Sequence, residues 1–308
     1  APVVVKSAMG QALAKKLAAD DDLLAGSLFG QLARVLFDTM AVREDNWEWM
    51  WNVYLDWASL VVCAPMVKPG HHYLFTGGQG IGKSLLADIL SRMVGHVNRS
   101  DVTADTLSNG FGDFLKARLI TVDELYTVSG GMNRTGHSAY NSMKTYMAKT
   151  PEELWLNIKT KAPETAANLS AWQMSSNSTA HDLRLDQDDR RIAVVGCEDM
   201  TAAQYKAGQA VCARIGALKD RGFGLDWHED MARAFVARFL GVLGNAGRMD
   251  AVLGAAPASN TKAALAMENL SPLADYVLRV WEAGGLPDIV SVEDVQRVCT
   301  GRRDVGNG

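Results

Sequence analysis

The stretch Gly77-Gly-Gln-Gly-Ile-Gly82-Lys83-Ser84 constrains this 308-residue chain more than any other. It satisfies GxxxxGK[ST] in full, a match that composition alone would produce by accident about 1% of the time. The apolar run Tyr73-Leu-Phe precedes it and Leu85-Leu-Ala-Asp-Ile-Leu follows it, so the order predicted is strand, loop, helix. The chemistry needs that order. A strand fixes the loop, glycines let backbone N–H groups face phosphates, and a helix N-terminus adds a favourable dipole. The predicted cradle is Gly77, Gly78, Gln79, Gly80, Ile81, Gly82, Lys83 and Ser84. Lys83 would reach the β- and γ-phosphates of ATP, and Ser84 would ligate Mg²⁺. The plain alternative is a glycine-rich turn that happens to contain Gly-Lys-Ser.

A triphosphate site also needs an acid near the metal at the end of a neighbouring strand. Leu119-Ile-Thr-Val-Asp123-Glu124 supplies one. Asp123 would hold Mg²⁺ and Glu124 would orient and deprotonate an attacking water. The Glu favours hydrolysis over transfer to a small acceptor, which disfavours a small P-loop kinase. Ala171-Trp-Gln-Met-Ser-Ser-Asn177 is another apolar run with a polar end, and Asn177 fits a γ-phosphate and water contact. Asp188-Asp189-Arg190-Arg191 precedes Ile192-Ala-Val-Val. A salt-bridged surface turn is one reading of it. The other is an arginine finger, Arg190 or Arg191, inserted into a neighbouring subunit's site.

Around these motifs, short apolar runs alternate with helical stretches after Pro69: His72–Thr76, Leu85–Val94, Leu119–Val122, Ala139–Met147, Ala171–Ser175 and Ile192–Val195. Such alternation predicts an α/β core with a mostly parallel sheet. Residues 1–62 read as a helical N-terminal flank or oligomerisation region, 63–200 as the P-loop ATPase core and 201–308 as a helical C-terminal region. In the flank, Asp20-Asp21-Asp22 is placed to cap a helix, and Trp47, Trp49, Trp51, Tyr54 and Trp57 crowd the next one. A packed core helix explains those rings better than base stacking does. Beyond Cys197, helix periods cover Ala202–Asp220, Asp226–Leu243 and Ala263–Trp281, with Gly222, Gly224, Gly244, Gly247 and Gly254 marking the breaks and a linker expected at Ala255–Thr261.

Composition excludes some classes. Thirty-five acidic residues against 31 basic give a net charge of −4, which rules out coating nucleic acid by bulk positive charge. The four cysteines form no CxxC pair, so neither a zinc site nor a disulfide framework is expected, and a reducing cytoplasm is the simplest compartment. No apolar run reaches the ~18 residues of a membrane span. No signal-peptide pattern opens the chain, and Ala1 in place of Met suggests processing or a fragment. His71, His72 and His137 lack metal-ligand spacing and read as structural. Charge is uneven, however. From Arg134 to Lys161 the basic residues Arg134, Lys144, Lys149, Lys159 and Lys161 face Glu152 and Glu153 alone. Lys159 and Lys161 alternate, as two residues on one strand face do.

Taken together, the ordered set resembles the superfamily 3 helicases of viruses, phages and plasmids, above all the ATPase half of phage and plasmid primase-helicases. The set is Gly77–Ser84, Asp123-Glu124, the Lys-bearing stretch Lys144–Lys161, Ser176-Asn177 and Asp189-Arg190-Arg191, and it covers roughly residues 45–285. Trp57-Ala-Ser-Leu-Val-Val-Cys-Ala-Pro looks like the family's lead-in helix, and Pro257–Lys262 with Met267 like its downstream linker. The resemblance implies a three-layer AAA+-type P-loop core and a homo-oligomeric, hexameric ring that hydrolyses ATP with Mg²⁺. It implies translocation on single-stranded DNA, with a β-hairpin carrying Lys159 and Lys161 into the channel; Lys144, on a helix, is a further DNA contact or else pairs with a carboxylate. Ser271–Trp281 and Ser291–Val298 would begin a winged-helix-like domain, a plain helical cap being the alternative. The primase or origin-binding domain usual before the ATPase has no counterpart in the stretch before Pro69, so priming is not expected of this chain, though a primase domain or protein is an expected partner. The competing reading is an AAA+ remodelling or helicase-loading ATPase that acts on a protein partner.

Overall fold

The computed structural model describes residues 22–103, 106–107, 112–123, 142–148, 152–159, 161–177, 185, 189–197 and 200–268. Among these residues the strands, in chain order, are β1 (His72–Thr76), β2 (Arg99–Val102), β3 (Leu119–Asp123), β4 (Glu153–Leu156), β5 (Glu164–Ala167), β6 (Ala171–Ser175) and β7 (Ile192–Gly196). The helices are α1 (Leu23–Gly26), α2 (Leu28–Asp38), α3 (Trp47–Cys63), α4 (Lys83–Val94), α5 (Ala202–Asp220), α6 (Leu225–Leu243), α7 (Ala246–Leu253) and α8 (Asn260–Glu268), with a further helical stretch at 142–147.

Five strands form one sheet in the order β2-β3-β6-β1-β7, and each adjacent pair is parallel. The chain is α/β, as its alternating texture predicts. Strands buried on both faces read as continuous apolar runs, and β1, β6 and β7 are buried at every position. Side chains alternate across the sheet. Tyr73, Phe75, Leu119, Ala171, Ala193 and Val195 enter one core with α2 to α6, while Leu74, Ile120, Val122, Trp172, Met174 and Val194 enter a second. The second core is closed by Phe114, Leu115, Met143, Met147 and the inner face of a separate β4-β5 hairpin. The third layer is therefore part helix and part hairpin.

Most of the aromatic cluster is core. Tyr54 and Trp57 are fully buried and meet Tyr73 edge-on at 4.8 and 5.1 Å, while Trp51 is 7% exposed. Their polar atoms are satisfied, which a buried Tyr or Trp requires. Tyr54 Oη donates to Gln173 Oε1 at 3.1 Å, and Trp57 Nε1 donates to the His71 carbonyl at 2.9 Å. Trp49 is the exception, half-exposed at 51%.

Three local expectations change. Asp22 stands at the N-cap of α1 but makes no capping bond; Ser27 caps α2 instead, accepting from the Gly30 N–H at 3.1 Å. Helix α7 runs through Gly247, a residue expected to break the chain. The expected linker at Ala255–Thr261 is docked rather than loose. Ala256 N–H donates to the Arg190 carbonyl at 2.7 Å, Ser259 Oγ to the Val194 carbonyl at 3.4 Å, and Thr261 N–H to Glu44 Oε1 at 3.1 Å. Residues 269–308, including the winged-helix-like stretch, lie outside the described residues. Among the described residues no helix is long and apolar enough to cross a membrane.

Candidate functional site

A parallel sheet gathers the carboxyl ends of its strands along one edge, where ligands of open α/β sheets bind. Here Gly77 follows β1, Asp123 ends β3, Ser175 ends β6, and α4 starts at Lys83. The loop between β1 and α4 has Gly77, Gly80 and Gly82 at φ +122°, +79° and +101°. Gly82 is further enclosed, since a Cβ there would lie 2.8 Å from Leu32 Cδ1. Glycine is thus required twice over at that position, by dihedral and by space.

The motifs converge. Lys83, 6% exposed, donates from Nζ to the carbonyls of Gly77 and Gly78 at 2.6 and 2.7 Å and to Asn177 Oδ1 at 3.1 Å. Ser84 Oγ donates to Asp123 Oδ1 at 3.2 Å, and Ser175 Oγ donates to the same oxygen at 2.6 Å. Lys83, Ser84, Asp123, Ser175 and Asn177 line a pocket of about 510 Å³ together with Gln79, Gly80, Ile81, Gly82, Leu85 and Cys212. The hydroxyl–carboxylate pair of Ser84 and Asp123 is a hard-oxygen donor set of the kind Mg²⁺ takes. Left-handed glycines beside a buried lysine at a helix N-terminus are the chemistry a phosphate chain takes.

One expectation about the acid is corrected. Asp123 does not sit on the strand beside the loop strand, because β6 lies between β3 and β1. The register places Ser175 opposite both Asp123 and Phe75, so the middle strand joins the two halves of the pocket. Ser175 was not legible as a site residue; an extra serine at a strand end carries no signal until its register is known. Helix α5 is a second omission. Gln209 Nε2 donates to the Gly80 carbonyl at 2.9 Å, and Cys212 touches the pocket. Glu124 lies outside the described residues, as do Arg134, His137, Lys149 and Asp188.

Arg190 and Arg191 are not in this pocket. They precede β7, so they sit at the opposite, amino-terminal edge of the sheet, where the Arg191 carbonyl accepts from His72 N–H at 2.8 Å at the start of β1. Five strand residues at about 3.3 Å each put that edge roughly 15 Å from the loop. Arg191 is held by Asp189, whose Oδ1 accepts its backbone N–H at 2.6 Å and whose Oδ2 lies 3.5 Å from its Nη1. Arg190 is exposed and lines a second pocket, of about 460 Å³, with Glu44, Asp189, Ser259 and Lys262.

The expected β-hairpin between the acidic strand and the Asn strand is present as β4-β5. Lys159 and Lys161, however, do not share a strand face. Strand β4 ends at Leu156, and both lysines are exposed in the connecting loop around buried Ile158. Lys144 is elsewhere, half-buried on the 142–147 helix between Met143 and Met147 of the second core. His71 and His72 are structural, as expected. His71 Nε2 lies 3.2 Å from Tyr73 Oη and His72 Nδ1 accepts from Trp172 N–H at 3.3 Å. Burial pushes the His71 imidazole down to about 4 and His72 well below its ordinary value. Among the described residues no group of acidic, His or Cys side chains is arranged to hold a metal by itself.

No protein-family model matches the chain. Over 153 residues, half of its length, the chain is 26% identical to a DNA primase-polymerase of Nitratiruptor phage NrS-1, and the match spans 20% of that protein. Two apo structures of the NrS-1 C-terminal region align with 89% of this chain and 62% of theirs, at TM-scores of 0.54 and 0.52 and identities of 20% and 19%. The chain thus spans less than two thirds of these relatives, and the likeness establishes a shared fold. A JCV helicase structure aligns at a TM-score of 0.32 and 14% identity, too slight to carry an argument.

Proposed function

We propose that this chain is the ATP-driven motor part of a DNA-replication protein. In this reading it is a ring-forming helicase of superfamily 3 type that moves on single-stranded DNA. The observation that carries the reading is the meeting of three separated motifs in one pocket, with Lys83 on Asn177 and Ser84 on Asp123. The partial identity to a phage primase-polymerase supports replication as the setting.

The residues divide the work as follows. The backbone of Gly77–Ser84 holds the phosphates, and Lys83 exchanges the Gly77 and Gly78 carbonyls for phosphate oxygens. Ser84 and Asp123 would hold Mg²⁺, which would supply neutralisation of the phosphate charge. Ser175 fixes the Asp123 carboxylate from the neighbouring strand. Asn177 orients the attacking water and Glu124 accepts its proton. Because Arg190 and Arg191 lie across the sheet from their own loop, the finger comes from the next copy in a homo-oligomeric, hexameric ring. Lys159 and Lys161 at the hairpin tip contact DNA phosphates.

The test is ATP hydrolysis by the purified chain with and without single-stranded DNA, with displacement of an annealed strand as the second readout. Stimulated hydrolysis and displacement, both lost in Lys83→Ala, are expected. Hydrolysis indifferent to DNA, with no displacement when a primase partner is restored, would overturn the reading.

A further inference from the structure

The β4-β5 hairpin has two unlike faces. Leu154 and Leu156 point inward, 6% and 1% exposed, and Ile158 anchors the connecting loop at 7%. Trp155 points outward and is 71% exposed. Its cross-strand partner is Thr165, and the flanking pair on that face is Glu153 with Ala167, so among the described residues of the hairpin no large side chain covers the indole. Burial of Leu154, Leu156 and Ile158 in the second core fixes the hairpin's orientation and keeps the ring outside.

Charge around the ring is asymmetric. Lys159 and Lys161 follow it in the exposed loop, where the Lys161 N–H donates to the Ile158 carbonyl at 3.3 Å and tightens the turn. Glu164, which opens β5 after that loop, is ion-paired with Lys116. A protein partner would need a contiguous apolar patch, and the strand residues around Trp155 are Glu153, Thr165 and Ala167. A flat exposed aromatic face on a strand that leads into a loop carrying two exposed cations matches a different ligand, an unpaired base with its flanking phosphates.

We infer that Trp155 is a stacking platform for a base of single-stranded nucleic acid, with Lys159 and Lys161 on the adjoining phosphates. The inference rests on the proposed DNA-translocating function and adds a base-contacting residue to it. It separates two contributions. Stacking depends on bases and is insensitive to salt. Lysine contacts depend on phosphates, each steepening the salt dependence by about 0.7 in log K against log[salt].

The experiment measures binding of the full chain to an oligo-dT and to an abasic strand of equal length, each across a salt series. Wild type is expected to prefer oligo-dT. Trp155→Ala should weaken oligo-dT binding by about tenfold or more, leave abasic binding and the salt slope unchanged, and leave basal ATP hydrolysis intact. Trp155→Phe should restore most of the loss. Lys159→Ala and Lys161→Ala should weaken both strands alike and flatten the slope. Equal binding of oligo-dT by wild type and Trp155→Ala overturns the inference while leaving the motor reading intact. So does a change in sedimentation of Trp155→Ala, which would mean that the ring is covered by a second copy. Wild type that hydrolyses ATP and binds neither strand overturns both.

Discussion

Under the proposed function, Arg190→Ala tests whether the pocket is divided between two copies. Within one chain, Arg190 stands before β7 and the loop follows β1, with the full length of the parallel strands between them. That separation of roughly 15 Å excludes insertion into the chain's own pocket. Arg190→Ala should therefore lower turnover by about 10³–10⁵, the range of known trans-acting fingers, and leave ATP binding unchanged. Under the same reading, with Glu124 proposed to activate the water, Glu124→Gln should also abolish turnover. In a ring with head-to-tail interfaces, one site takes Glu124 from its own chain and Arg190 from its neighbour. Random 1:1 mixing of the two variants joins an intact Glu124 to an intact Arg190 at half of one half of the interfaces. Activity should recover to about a quarter of wild type, whatever the number of subunits. The assay is steady-state phosphate release across a mixing ratio, with co-purification of differently tagged variants confirming mixed assembly. Recovery should peak at equal amounts. Confirmed mixed rings without recovery, or an Arg190→Ala variant that turns over normally, would refute the reasoning.

Further consequences follow from buried groups. Asp56, 2% exposed, accepts from Arg238 Nε and Arg248 Nη2, each at 2.6 Å, so Asp56→Ala removes the carboxylate that balances the charge of the buried Arg238 guanidinium, which keeps its bonds to Asn52. A loss of about 3–5 kcal/mol is expected in urea denaturation, and a loss near zero would mean that the network carries no stability. Gly82→Ala forces a left-handed dihedral and a clash with Leu32, and should weaken ATP binding at least tenfold by titration. Gly216→Ala, in α5 with open space at its Cβ, should be silent or stabilising by up to about 1 kcal/mol. His71 has a folded pKa of about 4, below the unfolded value of 6.5. Its stabilising contribution is complete above about pH 6.5 and is lost as pH falls toward 4, where the unfolded chain binds the extra proton. The melting temperature should drop across that window, and His71→Asn should flatten the drop; an unchanged slope in the variant would assign the pH dependence to other groups.

The sheet was largely legible, and the reason is burial. Strands β1, β3, β6 and β7 are central or covered on both faces, so hydrophobicity runs through them without interruption. Strand β2 was not legible, because its sequence Arg-Ser-Asp-Val is that of a solvated edge. It is held by parallel pairing to β3 and by polar contacts, with Arg99 Nη1 on Asp88 at 3.3 Å and Arg99 Nε on Thr121 Oγ1 at 3.1 Å. Helix α7 escaped for a related reason. Gly247 looks like a break, but tertiary packing of Val252 and the Asn245 cap on Arg248 N–H carry the helix through it. The lysine alternation at 159 and 161 misled because period 2 signals a strand only while the chain stays extended. Here Ile158 turns inward as the loop's anchor, and the backbone curls around it.

The site divides along the same line. Residues whose identity is demanded by chemistry, such as Lys83, Asp123 and Asn177, can be read from type and order. Residues whose role comes from register, such as Ser175, or from a distant helix, such as Gln209, cannot, because many serines and glutamines would serve equally until the fold selects one. The arginines are an intermediate case. Their motif was legible, but their direction of action depends on topology. In an all-parallel sheet, the end of one strand and the start of its neighbour lie at opposite edges. The glycine loop after β1 and the arginines before β7 are therefore kept apart by the same backbone pairing that makes the two strands adjacent. Under the proposed function, the consequence is mechanical. Turnover at one cradle needs a second copy docked by its amino-terminal sheet edge, so the rate reports the interface as well as the pocket. Hydrolysis should then rise steeply with protein concentration until assembly is complete, and a chain that turns over at a constant specific rate down to monomeric dilution would break that link.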